Sequence, residues 1–551
     1  MKGKLWRQLQ AMHKELRRKV RHPLGLTEEF KVERGVAQGA IESPWLYSNF
    51  IDGLADALKA AGLGIMIAGR RVPLLMYADD VVVLASSVDE LVRMNVITTK
   101  FAQQHRFQFN GDKSGVMVFN APKLERERAE KQQWVLFGEA VEVKPCYEYL
   151  GTILEPNDGS WTKHLAVAIK KAQRRSNDLL WVCRTDKGMR PRTAIVLWQA
   201  LVRPILEYAS EVWSGQIPVG LARAAEQVQT SFLRGTLGLH DNGGGVSNDV
   251  VRAEAGCEPL ADRWAKLTLG FWRRLFVAAP GRLLLRVARF RHEELTAGLG
   301  YGVRGWMPAA QRLLAQHGMD DAWNNTTVAA DVPVKTWQDR VYKEVEVASD
   351  ARLQSRLKAL SSATQYQRVR PWTRTPSAYA FSSGEVDRLG RLTPQPYLDD
   401  RLCLKGTRLK MLCRLGCLPV MDRVGREAKP AAWPKAARTC MMCKQGKVED
   451  VAHFVAGCPA YAAQRTRMRV QVARALDDSA GTVATEDFDA MDEEGRARVL
   501  LGQRTGDPIA EARIDRHVKK FLVKAWNTRA SMTAAINEVM GKAYEVCASA
   551  G

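Results

Sequence analysis

Long apolar stretches are missing from this sequence: no uninterrupted run reaches the ~20 residues that a membrane-spanning helix needs. Residues 62–86 come nearest, but two arginines and two aspartates interrupt them. A secretory signal peptide is also missing. The basic, amphipathic residues 1–24 could pass for a mitochondrial leader but are better interpreted as a helix of the folded domain. We therefore expect an intracellular protein, in the cytoplasm or the nucleus, without a membrane partner.

Cysteine is scarce as well, at ten residues in 551, which fits a reducing compartment and leaves at most one metal site. Internal repeats and low-complexity tracts are missing too. Hydrophobic residues make up 46% of the chain, so it can bury substantial cores. Its length predicts about three or four domains.

Acidic residues are outnumbered: 60 Asp and Glu stand against 82 Lys and Arg, giving a formal charge of +22. Such an excess predicts a polyanionic partner, with nucleic acid first and an acidic membrane surface second. A basic surface without any such partner is the alternative interpretation.

Residues 71–86 hold the most informative pattern. Two apolar, β-branched-rich runs flank a four-residue tip, which predicts a hairpin with Asp79 and Asp80 at its bend. If the flanks bury these carboxylates, a cation must offset the cost, as in enzymes that join phosphates through two metal ions. A plain surface turn is the alternative. Residues 397–400 share the outline in a polar setting, and we interpret them as a solvated turn.

The surrounding elements predict an α+β fold. Ser43 and Pro44 can open a helix, Ser87 and Glu90 form a capping box before a second helix, and residues 107–119 predict a turn leading into an alternating strand. The order helix, hairpin, helix, strand is that of a palm-like antiparallel sheet with helices on one face.

Several motifs resemble those of reverse transcriptases. Residues 35–44 read Gly-Val-Ala-Gln-Gly-Ala-Ile-Glu-Ser-Pro, residues 77–80 Tyr-Ala-Asp-Asp, residues 110–114 Asn-Gly-Asp-Lys-Ser and residues 149–151 Tyr-Leu-Gly. Residues 201–213 look like the thumb of the non-LTR (LINE-type) retrotransposon branch. The resemblance covers residues 1 to about 240, is thin to about 400, and returns in the cysteine-rich segment.

The resemblance implies roles for individual residues. Asp79 and Asp80 would hold Mg²⁺, and Lys113 would lie beside the triphosphate. Contacts with template, primer or nucleotide are implied for Gly35, Gln38, Gly39, Tyr77, Asn110, Tyr149 and Gly151. The implied partners are an RNA template, a DNA primer and deoxynucleotide triphosphates.

One expected residue is missing. The family's first catalytic carboxylate lies on a strand upstream of the Gly-Gln-Gly loop, but this sequence has no Asp before Asp52. The chain therefore looks amino-terminally truncated, without the fingers. We expect that two-metal chemistry fails in this chain, because Asp79 and Asp80 alone leave the ions under-ligated. We also expect the hairpin to lack a neighbouring strand and to expose an aggregation-prone edge.

Residues 160–235 predict helices with one basic face. Leu165, Ile169, Ala172 and Leu179 line one side, and cations crowd another. That basic face consists of Lys163, Lys170, Lys171, Arg174 and Arg175. Such a thumb helix could grip the phosphates of a primer–template duplex without reading bases. An ordinary solvated face is the alternative.

Cys440, Cys443, His453 and Cys458 can supply four ligands in tetrahedral geometry, which predicts a structural Zn²⁺ site. Their spacing resembles the Cys-Cys-His-Cys element that follows the thumb in non-LTR reverse transcriptases. Cys413 and Cys417 are rival ligands, but apolar neighbours make them better core cysteines.

We divide the chain into a partial palm (1–155), a helical thumb (156–240), a helical region of unassigned role (241–360), a linker (361–398), a zinc-binding element (399–465) and a helical tail (466–551). Asn242 and the glycines up to Gly245 mark one boundary. The leading hypothesis is an RNA-directed DNA polymerase fragment of a non-LTR retrotransposon, inactive as this chain. The alternative is a non-catalytic nucleic-acid-binding protein.

Other readings are weaker. An intron maturase relative is disfavoured because no HNH-type cluster is present. The sequence shows neither a ribonuclease H carboxylate set nor a convincing endonuclease motif, and the oligomeric state stays open.

Overall fold

A computed structural model describes residues 3–14, 16–23, 25–32, 35–156, 161–185, 189–239, 246–299, 305–360, 365–366, 396–399, 403–428, 431–478, 485–502 and 508–549. The chain divides into two units, residues 1–158 and residues 159–551. It is mostly helical with small antiparallel sheets, which confirms the α+β class. A search of the described residues for a helix long and apolar enough to cross a membrane finds none.

The first unit alternates helices with short hairpins. Its helices are α1 (Lys4–His13), α2 (Ser43–Ala60), α3 (Val88–Gln104) and α4 (Lys123–Lys131). Its strands are β1 (Arg17–Arg18), β2 (Arg21–His22), β3 (Gly25–Leu26), β4 (Phe30–Lys31), β5 (Ile65–Ile67), β6 (Arg70–Val72), β7 (Leu74–Tyr77), β8 (Asp80–Val83), β9 (Trp134–Leu136), β10 (Glu139–Val141), β11 (Tyr147–Tyr149) and β12 (Thr152–Leu154).

The sheets of the first unit are smaller than the predicted palm-like sheet. In the described part of the chain every sheet has two strands, including β7–β8, β9–β10 and β11–β12. Strands of two to four residues have little surface for further pairing, and an isolated hairpin depends on packing for its stability. The pair β7–β8 accordingly has no third strand among these residues.

The core of the first unit holds the β7–β8 hairpin against two helices. Buried side chains of α2 and α3 pack with Leu74 at the start of β7. The members of this core are Ile51, Leu54, Ala55, Leu58, Leu63, Leu74, Met94 and Phe101. Met76, Val81 and Val83 join it, since alternate residues of a strand share one face. The hairpin predicted from residues 71–86 is thus present, with a two-residue tip.

Helices α2 and α3 begin where the sequence predicts, but only one of them has the predicted serine cap. Ser87 caps α3, its Oγ accepting from the Glu90 N–H at 3.2 Å. Burial tends to raise the pKa of Glu90, but hydrogen bonds from Ser86 and Gly64 outweigh it and lower that pKa. Ser43 does not cap α2; its hydroxyl instead donates to the Ala37 carbonyl at 2.6 Å.

Two other predicted elements differ. The alternating residues after Ser114 form no strand, only one bridge between Val116 and Val143. The amino-terminal helix ends at His13, and exposed Val20 lies beyond it between short strands.

The second unit is helical. Its first helices are α5 (Thr162–Thr185), α6 (Pro191–Leu201), α7 (Arg203–Glu207), α8 (Ser210–Trp213) and α9 (Val219–Leu237). Then follow α10 (Asn248–Ala255), α11 (Leu260–Val277), α12 (Leu283–Thr296), α13 (Trp306–Gln316), α14 (Asp320–Asn324), α15 (Thr327–Ala330) and α16 (Val334–Ala359). The last helices are α17 (Leu404–Arg414), α18 (Met421–Arg426), α19 (Ala462–Asp477), α20 (Thr485–Ala490), α21 (Glu493–Leu501) and α22 (Pro508–Ser549). Short 3₁₀ turns cover Ser214–Gln216, Pro396–Asp399, Lys435–Ala437 and Pro459–Tyr461, and a π-type turn covers His453–Gly457.

One cluster of buried side chains runs through this unit from Leu165 in α5 to Ala525 in α22. It joins side chains of the predicted thumb, zinc-binding element and tail. A second cluster lies among α11 to α16. The boundary predicted at residues 242–245 and most of the predicted linker lie outside the described residues.

The prediction of a solvated turn at residues 397–400 is wrong where the structure describes it. Tyr397 is 6% exposed and Leu398 is fully buried. The Tyr397 hydroxyl donates to Glu254, and Lys519 Nζ donates to the Tyr397 carbonyl at 2.6 Å. These partners are far away in sequence, so the polar flanks of the turn gave a false signal. The side chain of Asp399 and all of Asp400 lie outside the described residues.

Candidate functional site

The two hairpin acids lie at the end of a regular antiparallel pair. Tyr77 pairs with Asp80, which leaves Ala78 and Asp79 as the turn. Tyr77, Asp79 and Asp80 are all exposed. The expectation that apolar flanks bury these carboxylates is therefore wrong. Asp79 lies in the turn, and Asp80 begins β8 on the face opposite to Val81, which packs against the core. Burial cost does not by itself require a cation here.

Asp79 and Asp80 each lie near a different tyrosine. Burial raises the pKa of the Tyr47 phenol on α2, and the negative charge of Asp79 raises it further. Burial likewise raises the pKa of Tyr149 at the end of β11, with the charge of Asp80 adding to it. Asp79 thus lies near α2, and Asp80 lies near the end of β11. Tyr47 was not singled out from the sequence, because an aromatic residue at helical spacing is typical of a core position.

The Tyr-Leu-Gly turn has a defined geometry. Leu150 and Gly151, with φ of 48° and 75°, connect β11 and β12 in a two-residue hairpin. Positive φ at both positions is typical of a type I′ turn. The Thr152 hydroxyl donates to the Tyr149 carbonyl at 2.8 Å, which fixes the strand end that carries Tyr149.

The Lys113 turn is tied to the same strand. Asn110 Oδ1 accepts from the Lys113 N–H at 3.0 Å, and the Ser114 hydroxyl donates to the Asn110 carbonyl at 2.7 Å. The Tyr147 hydroxyl donates to the Lys113 carbonyl. Tyr147 and Tyr149 share one face of β11, because they are two residues apart. The strand β11 therefore carries the tyrosine that bonds to the Lys113 turn and, two residues further on, the tyrosine that lies near Asp80.

The loop before α2 is open. Gly35 and Gly39 have φ of 85° and 87°, and a Cβ at either position would meet no atom within 4 Å. Gln38 between them is exposed. The hydrogen bond from Ser43 to Ala37 fastens this loop to the helix start. The structure thus places the loop beside the helix that carries Tyr47, with backbone accessible to a ligand.

The tip carries local strain that can be tested. Ala78 has φ of 52°, a left-handed conformation that costs an L-residue about 1–2 kcal/mol, which glycine avoids. Because glycine also gains freedom when unfolded, we expect Ala78→Gly to stabilise the hairpin by ~0.5–1 kcal/mol. Amide hydrogen exchange across β7 and β8 measures this change.

Ala140→Gly is the matched control, since Ala140 is an exposed strand residue of β10. That substitution should lower protection in its own hairpin by up to ~1 kcal/mol. Lower protection of β7–β8 in the Ala78→Gly variant would show that the left-handed residue is not strained.

The hairpin acids form an incomplete metal site by themselves. Among the described residues only one group of three or more His, Cys, Asp or Glu side chains lies close enough to share an ion, and it does not contain Asp79 or Asp80. The two carboxylates could hold Mg²⁺ only together with further oxygen donors, such as phosphate groups or another carboxylate.

The basic face of α5 is formed as the sequence predicts. Leu165, Ala172 and Leu179 are buried and Ile169 packs against the same core. The cations on the opposite side, Lys163, Lys170, Lys171, Arg174 and Arg175, are all exposed. A run of positive charge therefore lines one side of this helix.

The four predicted zinc ligands do come together. One ligand atom from each of Cys440, Cys443, His453 and Cys458 lies within 4.8 Å of the others. Cys440 Sγ is 3.7 Å from Cys458 Sγ, and Cys443 Sγ is 3.5 Å from His453 Nε2. A tetrahedron with Zn–S bonds of about 2.3 Å has edges of about 3.8 Å, so this donor set fits a zinc ion.

Local backbone structure shapes this site. The Cys440 N–H donates to the Lys447 carbonyl at 2.8 Å, which closes the knuckle. Lys444 and Gly446 take left-handed conformations at its tip. On the other side the Cys458 N–H donates to the His453 carbonyl at 2.6 Å, within the wide turn His453–Gly457.

Hydrogen bonding within the cluster shifts the pKa of two of its cysteines in opposite directions, lowering that of Cys440 and raising that of Cys458. The Cys458 thiol donates to Cys440 and lowers the Cys440 pKa to about 3, against the effect of burial. A hydrogen bond with Cys440 raises the pKa of His453 to about 9 against the effect of burial, and the contact with Cys443 adds to the rise. Cys413 and Cys417 are buried elsewhere in the core, away from the cluster.

The match to a known protein family lies in the first unit. No curated protein matches the chain. Residues 4–154, which end at the last residue of β12, match the family model described as reverse transcriptase (RNA-dependent DNA polymerase), and this match supports a reverse transcriptase domain in the first unit.

Proposed function

We propose that the chain is part of a non-LTR retrotransposon reverse transcriptase, with residues 1–155 as an incomplete palm and residues 156–240 as the thumb. The observation that carries this proposal is the β7–β8 hairpin, whose tip places Asp79 near Tyr47 and Asp80 near Tyr149 within the matched residues. The Tyr-Ala-Asp-Asp and Tyr-Leu-Gly motifs thus lie near each other, and Tyr147 on β11 also bonds to the turn that carries Lys113, which supports the proposal.

In this proposal the motif residues bind and orient the reactants. The open loop around Gln38 lies against template or nucleotide, Lys113 offers positive charge to a triphosphate, and the turn at Gly151 supports the primer. Mg²⁺, when bound by Asp79 and Asp80, would stabilise the charge on the attacking and leaving oxygens. Tyr77 and Asn110 contact template, primer or nucleotide in this proposal, and Asn110 Oδ1 also accepts from the Lys113 N–H.

We further propose that residues 1–551 do not synthesise DNA without another component. Two-metal polymerases need more carboxylate oxygen than two aspartates supply when one lies in a turn and the other begins the next strand. Within this sequence no Asp precedes Asp52. In this proposal the third carboxylate comes from another component.

The substrate we propose is an RNA–DNA hybrid held by its phosphates. The five exposed cations on α5 match a polyanionic backbone, and the net charge of +22 favours association in general. Such binding releases counterions, so its affinity should fall linearly with salt on logarithmic axes, with a slope near 0.7–0.9 per phosphate contact.

Substitutions on α5 test this binding. In a Lys171→Gln/Arg174→Gln/Arg175→Gln variant we expect the salt slope for an RNA–DNA hybrid to fall by roughly 2–3. Filter binding over a range of salt concentrations provides the measurement.

A triple variant of α16 serves as the control: Lys335, Lys343 and Lys358, exposed cations far from α5 in sequence, are changed to Gln. Its slope should remain close to that of the unmodified chain. Equal slopes for the α5 variant and the unmodified chain would contradict a role of this face in binding.

Zinc has a structural role in the proposal. Three thiolates and one imidazole occupy all four positions of a tetrahedron, which leaves no position for a reacting water. The site therefore stabilises the second unit and takes no part in nucleotide transfer.

The alternative function is a non-catalytic nucleic-acid-binding protein that uses the α5 face and the zinc site. The exposed position of Asp79 and Asp80 favours this alternative, because neither carboxylate is withdrawn from water. Both functions include the binding of nucleic acid, so only an assay for DNA synthesis distinguishes them.

A further inference from the structure

One face of the zinc site is covered by a carboxylate that is remote in sequence. Glu493 is the first residue of α21 and follows the last ligand, Cys458, by an entire helix and more. Its Oε2 lies 3.6 Å from Nδ1 of His453. Among the described residues Nδ1 makes no hydrogen bond, although the His453 side chain is buried.

The two ring nitrogens of His453 have separate neighbours. Nε2 lies 3.5 Å from Cys443 Sγ and so faces the other ligands. Nδ1 faces Glu493 instead. A metal-bound histidine commonly donates its second N–H to a carboxylate, which fixes the ring orientation and makes the ligating nitrogen more basic.

Glu493 is itself held in place. Lys447 Nζ, from the knuckle between Cys443 and His453, donates to its Oε1 at 2.8 Å. Asp492 caps α21 by accepting from the Gly495 N–H at 2.7 Å, which fixes the helix start. The carboxylate therefore contacts both halves of the ligand set: the knuckle through Lys447 and the wide turn through His453.

The backbone leaves room for this carboxylate at one glycine. A Cβ built on Gly457 would lie 2.2 Å from Glu493 Cδ and 2.3 Å from its Oε2. Any side chain at position 457 would thus displace the carboxylate. Gly457 does not have a left-handed backbone, so this close approach, and not conformation, accounts for glycine here.

We propose that Glu493 is a positioning residue of the zinc site, which accepts a hydrogen bond from Nδ1 of His453 and so directs Nε2 towards the metal. This inference rests on the zinc site of the proposed function. Closing the 3.6 Å gap needs only a small shift of the ring or the carboxylate as the metal draws Nε2 inwards.

Metal affinity of the full chain tests the role. We expect Glu493→Ala to bind one zinc ion about 10–100-fold more weakly than the unmodified chain, the usual effect of losing such a partner. Competition with a chromogenic chelator measures the affinity. Glu493→Gln, which keeps an acceptor oxygen, should recover most of it.

Two further variants separate positioning from general stability. Glu494→Ala is the control, because Glu494 follows in α21 and pairs with Arg498 at 2.9 Å, away from the ligands. Unfolding of Glu493→Ala and Glu494→Ala in excess chelator should be alike, since the role of Glu493 needs the metal. Gly457→Ala displaces the carboxylate by another route and should also weaken zinc binding.

The outcomes are distinct. If the unmodified chain binds no stoichiometric zinc, the proposed zinc site fails, and this inference with it. If it binds zinc and Glu493→Ala binds equally tightly, the positioning role alone is overturned. Weaker binding in Glu493→Ala and Gly457→Ala, with recovery in Glu493→Gln, supports it.

Discussion

Replacing Arg414 with methionine should lower the free energy of unfolding of the second unit by about 3–5 kcal/mol, because it leaves a buried carboxylate without its cation. Arg414 is 2% exposed and Glu254 is fully buried. Arg414 Nε lies 2.6 Å and Nη2 3.1 Å from the two oxygens of Glu254, and Nη1 donates to the Leu501 carbonyl at 2.6 Å. Urea unfolding of the full chain measures the loss.

This pair joins distant parts of the second unit. Glu254 lies on α10, Arg414 ends α17, and Leu501 ends α21. Gly502 makes room for the guanidinium, since a Cβ there would lie 2.2 Å from Nη1 of Arg414. The charged group of Glu254 also raises the pKa of Tyr397, after the larger effect of burial.

A double substitution distinguishes the loss of the ion pair from the cost of leaving one buried charge without its partner. Glu254→Gln/Arg414→Met removes both charges and should be less destabilised than Arg414→Met alone. As a control, Arg498→Met breaks an exposed pair with Glu494 and should cost less than about 1 kcal/mol. A similarly small cost for Arg414→Met would show that water reaches Glu254.

Removing two zinc ligands should have a still broader effect. We expect Cys440→Ser/Cys443→Ser to lose its zinc and to unfold the knuckle, because the binding energy of a structural zinc is also folding energy. The metal content should drop from one ion per chain to a trace, as measured by mass spectrometry of the metal.

The loss of structure at the knuckle should also destabilise α22. Glu449, which lies between the ligands Cys443 and His453, is buried and paired with Arg529 through two contacts of 2.9 Å. Phe454 also packs against Trp526, with ring centroids 5.9 Å apart. Amide exchange should therefore accelerate around residues 526–529 when the zinc is lost.

The control is Cys146→Ser/Cys403→Ser, which changes two half-buried cysteines outside the cluster. It should keep its zinc and its slow exchange in α22. Unchanged metal content in Cys440→Ser/Cys443→Ser would exclude these residues as ligands.

Local patterns predict local structure well in this chain. The β7–β8 hairpin, the Ser87 cap and the buried stripe of α5 each follow from residues within a few positions of one another. The zinc ligands were found for the same reason, since Cys440 and Cys443 lie on one turn and His453 and Cys458 on another.

Non-local pairing explains the errors. Tyr397 is buried because Glu254 and Lys519 lie around it, and nothing in its own flanking residues indicates them. Glu493 could not be assigned to the zinc site, because its spacing from Cys458 follows no ligand pattern. The exposure of Asp79 and Asp80 depends on where β7 and β8 end relative to the core, which apolar flanks do not determine.

Primer extension tests most directly the claim that this chain holds a reverse transcriptase site with too few carboxylates. A DNA primer annealed to an RNA template, deoxynucleotide triphosphates and Mg²⁺ are added to chain shown to bind the hybrid. We expect no extension above that of an Asp79→Asn/Asp80→Asn variant. Extension by the unmodified chain that is lost in that variant, but kept in Asp52→Asn/Asp56→Asn, would contradict it.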